Sequence, residues 1–274
     1  MSAKMVRLHQ VGKQYPSGKY ALRNVSFALE RGEFVLHYQP QVAVEGADLT
    51  AVEALLRWQH PERGLVAPGE FISLLEESGL IIPVGRWVMQ TACRQGRQWL
   101  DAGFPVRVAV NLSTRQFKQP EIVDEVAEIL AETRLPPNLL ELELTESMFM
   151  DSGVGNVSKL ERLKALGVLL AIDDFGSGAS SLAYLKDFPV DTLKICQSFV
   201  LNLPHNDDDN AIASAVLSLA QGMSLSSVAE GVENQQQAAF LRERNCDYIQ
   251  GFLFSKPLPA DELEMLLRKG GSLG

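Results

Sequence analysis

The sequence predicts an α/β fold, a (β/α)8 TIM-type barrel with an antiparallel first strand, and three observations carry that expectation. From about residue 34 onward, eight short apolar runs recur along the chain. Helical patterns lie between most of them, the signature of a parallel sheet closed into a barrel rather than left open. The first two runs are separated by only about nine residues, too few for a helical crossover, so that pair runs antiparallel.

In order, the strands are expected at Phe34–Val42, Val52–Trp58, Val106–Leu112, Leu139–Thr145, Val168–Asp173, Thr192–Ile195, Ser227–Ala229 and Tyr248–Phe252. Helical periodicity marks Glu121–Glu132, Asn156–Leu166, Ala211–Gly222 and Asn234–Arg244 among the connections. At 274 residues the chain exceeds the usual size of one domain but suits a single barrel. A hydrophobic content of 46% supplies a large core. No apolar stretch reaches the ~18 residues of a membrane helix. The opening MSAKMVRLHQVG lacks the apolar core of a secretion signal, so a cytoplasmic protein is expected. Three cysteines without CxxC spacing argue against both a disulfide framework and a thiolate zinc site. A net charge of −9 speaks against a nucleic-acid polymer as partner, because counterion release needs a basic surface. It leaves room for a small phosphorylated ligand held through divalent cations.

The chemistry lies where acids interrupt apolar strands. In LLELELTES, Glu141 and Glu143 share one strand face, which an amphipathic strand with a wet side also explains. VLLAIDDFG ends an apolar run in Asp173 and Asp174; a helix N-cap accounts for one of these acids but not for two before a Gly-rich turn. Asn111 closes VAVN, and Glu230 and Glu233 follow SVA. Lys194 ends DTLKI, either as a snorkelling surface lysine or as a cation beside a reacting phosphate. In a parallel barrel, strand ends from different strands meet at one rim. Carboxylates gathered there repel unless cations neutralise them, and oxygen-only donors select Mg²⁺ or Mn²⁺. Two such ions sharing a bridging carboxylate form the arrangement that splits phosphodiesters by in-line attack.

Here the residues resemble a known family. VEALLRW contains Glu53-Ala54-Leu55 followed by Arg57, the signature of the EAL-domain cyclic di-GMP phosphodiesterases. The resemblance continues in family order through YQPQV, NLSTRQF, ELTES, DDFGSG, LKI, VAEGVE and QGFLFSKPLP, over roughly residues 26 to 270. It implies hydrolysis of cyclic di-GMP to linear 5′-pGpG. Glu53, Asn111, Glu143 and Asp173 would ligate a first metal; Asp173 would bridge to a second, which Asp174 and Glu230 also bind. Glu230 is similar to the family's second-site carboxylate or water-activating base, and Lys194 and Gln250 to groups that orient the water. Arg57 would grip a phosphate, while Gln39, Leu55, Asp174, Glu233 and Pro257 would line the substrate cleft. Glu146 resembles the glutamate that orders the loop after Asp174. The resemblance also implies a homodimer, paired through the Ser180–Lys186 region.

Two positions depart from the family pattern: Cys196 stands where an Asp is usual, and Ala179 where an aromatic is usual. Residues 194 and 196 are two apart on one expected strand, so an Asp at 196 would hold the Lys194 ammonium. A thiol accepts poorly, which predicts a lowered rate. A second reading is a receptor that holds cyclic di-GMP without cutting it; such members lose metal carboxylates, and this chain keeps the set.

Residues 1–25 form a leader that resembles the opening strands of an ABC-type ATPase, with Tyr15 at the place of an adenine-stacking aromatic. No GxxxxGK[ST] occurs in the chain, so nothing cradles a triphosphate. The adjoining stretch SFALERGEF suits a helix leading into the barrel, which occupies residues 26–274.

Overall fold

The computed structural model describes residues 6–14, 20–29, 33–46, 48–150, 154–176 and 185–270. All eight expected strands are present: β3 (Phe34–Ala43), β4 (Leu49–His60), β6 (Arg107–Asn111), β7 (Leu140–Thr145), β8 (Leu169–Phe175), β9 (Thr192–Ile195), β10 (Ser226–Glu230) and β11 (Tyr248–Gln250). They pair in the order β3-β11-β10-β9-β8-β7-β6-β4, and the β3–β4 pairing closes the ring. Strand β3 is antiparallel to both neighbours, β4 and β11, and the remaining barrel pairs are parallel. A short β5 (Gly64–Val66) folds back on the end of β4 as a hairpin.

Why β3 inverts follows from the short β3–β4 link, which allows only a hairpin between them. Period-2 alternation then sorts each strand into a lumen face and an outer face. Outer residues such as Ala54, Leu56 and Trp58 are buried in one continuous core with the helix Ile81–Asp101. That helix, the longest among the described residues, is absent from the sequence reading because Pro83, Gly85 and Gly96 interrupt it. Pro83 falls in its first turn, where a missing N–H costs little. At Gly96 a Cβ would lie 2.9 Å from Val108, so the glycine lets the helix approach the barrel wall.

The lumen is polar in two layers. Lower down, Arg107 Nε lies 3.2 Å from Glu141 Oε2, and Thr192 Oγ1 donates to Glu141 Oε1 at 2.6 Å. The upper layer, at the carboxyl ends of the parallel strands, holds the acids discussed below. No described helix is long and apolar enough to cross a membrane.

Before the barrel, β1 (Val6–Gln14) and β2 (Tyr20–Leu29) form a separate two-stranded antiparallel sheet. This corrects the expected lead-in helix: residues 26–29 of SFALERGEF pair with β1, Val6 opposite Leu29. Strand pairing overrode a helical pattern too short to stand alone. Ala179 and residues 180–184 of the expected dimer face lie outside the described residues.

Candidate active site

One lysine organises the rim. Lys194 projects inward from β9 and is 1% exposed. Its Nζ lies 2.6 Å from Glu230 Oε1, 2.8 Å from Glu143 Oε1, 3.1 Å from Asp173 Oδ1 and 3.6 Å from Glu53 Oε2. Strands β10, β7, β8 and β4 thus each deliver one carboxylate to a single ammonium. Burial alone would strip the lysine of its proton. The surrounding acids, Asp173, Glu143, Glu230 and Glu53, outweigh it and hold the ammonium well above the ordinary lysine range.

The acids respond unequally. Burial and the neighbouring charges push Glu143 well above the usual carboxylate range and raise Asp173 as well. Burial lifts Glu230 to about 7 against the pull of Lys194. Glu53 resists the same burial: Lys194, Gln250 and Asn111 favour its charged form and hold it low. Asn111 Nδ2 donates to Glu53 Oε1 at 2.6 Å, and Gln250 Nε2 donates to Oε2 at 2.6 Å, so donors clamp this carboxylate from both sides.

Asp174 sits at a left-handed φ of 53° where β8 ends. Its backbone N–H donates to Asp173 Oδ1 at 3.0 Å. The loop is tied down by Glu146, whose Oε2 accepts from the Gly176 N–H at 3.0 Å.

These residues fit divalent cations. Asp173, Asp174 and Glu230 offer one oxygen each, all within 4.8 Å of one another, the span of a single ion's coordination sphere. Both oxygens of Glu143, a fully buried side chain, lack an aligned hydrogen-bond donor. The 2.8 Å approach of Lys194 is an ion pair in distance but not a hydrogen bond in angle. Buried carboxylate oxygens without donors are costly unless a cation takes that place. The donor set is oxygen throughout, suiting Mg²⁺ or Mn²⁺.

Above the acids opens a cleft of about 290 Å³, lined by Gln39, Glu53, Leu55, Arg57, Asp173, Asp174, Glu230, Glu233, Gln250 and Pro257. Every residue expected to line a substrate cleft lies on it. Glu143 and Lys194 are buried in the barrel among the acids. Asn111 is exposed at the end of β6 and lines a neighbouring pocket with Leu55 and Thr145, and Glu146 stands behind the loop. Gln197, Gly231 and Phe252 also line the cleft and were not singled out from the sequence. Gln41, fully buried and bonded to Gln250, was given no role either; it lies in the YQPQV run and shares a strand face with Gln39. Cys196 corrects the reading of the first departure. Strand β9 ends at Ile195, and Cys196 starts the turn into the helix Gln197–Val200. Its Sγ lies 3.1 Å from Ser198 Oγ and faces Asp174 rather than Lys194.

A closed barrel with one inverted strand, acids on its parallel strand ends and a cleft above them is the EAL-type variant of the TIM barrel. The chain belongs to the EAL domain family, that of the cyclic di-GMP phosphodiesterases; the family model matches residues 22–257. It is 47% identical over 243 residues to the Pseudomonas aeruginosa bifunctional diguanylate cyclase/cyclic di-GMP phosphodiesterase MucR, covering 88% of this chain and 36% of that protein. It is 41% identical over 241 residues to the Escherichia coli cyclic di-GMP phosphodiesterase PdeR, covering 88% and 36% of the two. The structure matches that of the PaMucR phosphodiesterase in complex with c-di-GMP with a TM-score of 0.82 and 47% identity, over 84% of this chain and 94% of the other. The chain therefore spans about a third of the length of these curated relatives.

Proposed function

We propose that this chain hydrolyses cyclic di-GMP to linear 5′-pGpG by two-metal phosphodiester cleavage. The observation that carries the reading is the convergence of Glu53, Glu143, Asp173 and Glu230 from four strands on one point beneath an open cleft. Relatives named as cyclic di-GMP phosphodiesterases and the c-di-GMP complex of PaMucR support the choice of substrate.

Glu53, Asn111, Glu143 and Asp173 would hold one ion; Asp173, Asp174 and Glu230 would hold the other. Two bound divalent ions would supply Lewis-acid activation of water and neutralise the phosphate. Asn111 would ligate through its carbonyl oxygen, since its amide nitrogen already donates to Glu53. Glu230, which lines the cleft, would take a proton from the attacking water. Lys194 pairs with the carboxylates and would offer positive charge to the phosphate. Arg57 lines the cleft and would present its guanidinium to a phosphate oxygen. Gln39, Leu55, Glu233 and Pro257 would contact the rest of the ligand. Glu146 keeps the Asp174 loop in place.

Incubation with cyclic di-GMP and Mn²⁺, followed by chromatography, tests the proposal. The expected product is pGpG, formed also with Mg²⁺ and abolished by a chelator. Glu53→Ala and Asp173→Ala should each remove turnover. Retention of cyclic di-GMP without cleavage under both metals would replace the enzyme with a receptor. Near-parental activity in either variant would overturn the metal assignment.

A further inference from the structure

We infer that Gln41 is a positioning residue for the rim: it fixes the amide of Gln250, and through it one side of the Glu53 carboxylate. The inference deepens the phosphodiesterase reading and depends on that reading for its kinetic arm.

Gln41 lies directly opposite Gln250 in the antiparallel β3–β11 pair, and both side chains enter the lumen. Gln41 is 0% exposed and Gln250 4%. Gln41 Nε2 donates to Gln250 Oε1 at 2.9 Å. Gln250 Nε2 in turn donates to Glu53 Oε2 at 2.6 Å and to Gln39 Oε1 at 3.2 Å. An ionised carboxylate only accepts, so Gln250 must turn its NH₂ toward Glu53. Its carbonyl oxygen then points back into a dry lumen, where it needs a donor. Gln41 is that donor. Turning Gln250 over would set its oxygen against Glu53 and Gln39 Oε1 and its NH₂ against the NH₂ of Gln41, three repulsive contacts in place of three bonds.

The arrangement has a cost that makes packing an insufficient explanation. Gln41 Oε1 is buried with no hydrogen-bond partner. A methionine of similar length would fill the space without stranding an acceptor. Since Gln250 shows only N–H groups to the rim, it donates there and does not accept.

The test is a double-mutant cycle of Q41M and Q250M, read by Mn²⁺ titration calorimetry, and by kcat and KM for cyclic di-GMP. Q41M alone should weaken Mn²⁺ binding and lower kcat by about five- to tenfold, the equivalent of one buried hydrogen bond. KM should move by less than about twofold, because uniform substrate binding is untouched. In the Q250M background Q41M should add nothing. Q41L, which likewise offers no donor to Gln250 Oε1, should lose as much as Q41M in the parent. Equal losses from Q41M in both backgrounds, or no loss in the parent, overturn the inference. If Q41M does not fold, Q41L completes the same cycle with Q250M. Metal titration requires no turnover, so an inactive parent defeats the proposed activity and leaves the calorimetric cycle to decide the part played by Gln41.

Discussion

Lys194 shows how one side chain can hold several others in a conformation they would not adopt alone. Four carboxylates within 3.6 Å of its ammonium would repel one another without it. Lys194→Met should therefore destabilise the metal-free protein by about 3–5 kcal/mol, the cost of stranding buried charges. Thermal unfolding in a chelator measures this, and added Mn²⁺ should recover part of the loss; an unchanged melting temperature would show that the carboxylates do not need the lysine. Cys196 faces Asp174, so Cys196→Asp would add an oxygen donor on the side of that acid rather than reorient Lys194. The Mn²⁺ concentration giving half-maximal turnover should fall in that variant, whereas a change in kcat alone would contradict the placement. Burial pushes the thiols of Cys93 and Cys246 up to about 12, so almost none of either is thiolate at pH 8. Both should resist alkylation in the native state and react on unfolding.

At the scale of elements, the site depends on how strands stop. Strand β8 has a left-handed residue, Asp174, just before its last residue, Phe175, and the next loop is pinned by the Glu146–Gly176 bond. Asn tolerates that backbone conformation better than most residues, so Asp174→Asn should preserve folding while weakening Mn²⁺ binding. Glu146→Ala should leave most of the barrel's stability and lower turnover, with partial rescue at high Mn²⁺; rescue by Glu146→Gln would show that charge is dispensable. Strand β11 stops differently. A Cβ at Gly251 would lie 2.1 Å from the carbonyl oxygen of Val232, whose backbone bonds Gln250 and Leu253 on either side. Gly251→Ala should cost about 1–3 kcal/mol by overpacking and widen the cleft wall. Circular dichroism melts and KM for cyclic di-GMP check the two effects.

For the whole molecule, closure of the ring brings together residues nearly two hundred positions apart, as in the bond between Gln250 and Glu53. No proposed site residue lies in β1, and the family match begins at residue 22. Removing Met1–Tyr20 should therefore leave the barrel's unfolding and turnover unchanged, and ATP should give no heat of binding. Saturable ATP binding would make the ABC-like leader a functional segment. The curated relatives are about three times as long as the matched region, so any input that governs the barrel there has room to act from outside it.

Local pattern was sufficient for the strands, because a lumen face and an outer face impose alternation that a single run reveals. It also marked Asn111, Glu143, Asp173, Asp174 and Glu230 at strand ends, although a wet strand face or an N-cap explained some of them singly, and Glu53 entered only through the family resemblance. The spacing between the first two strands was enough to determine that they run antiparallel. Tertiary structure alone decided which acids share Lys194, that Glu53 stays charged while Glu143 and Glu230 are pushed toward protonation, and that Gln41 stands behind Gln250. Those properties depend on distances between strands far apart in sequence and on burial, which no local window contains. The same limit misplaced Cys196: two residues apart means one face only while the strand lasts, and β9 ends at Ile195. Pairing with β1 likewise made a strand of residues whose local pattern suited a helix, because a partner's backbone hydrogen bonds outweigh the small propensities of a short segment.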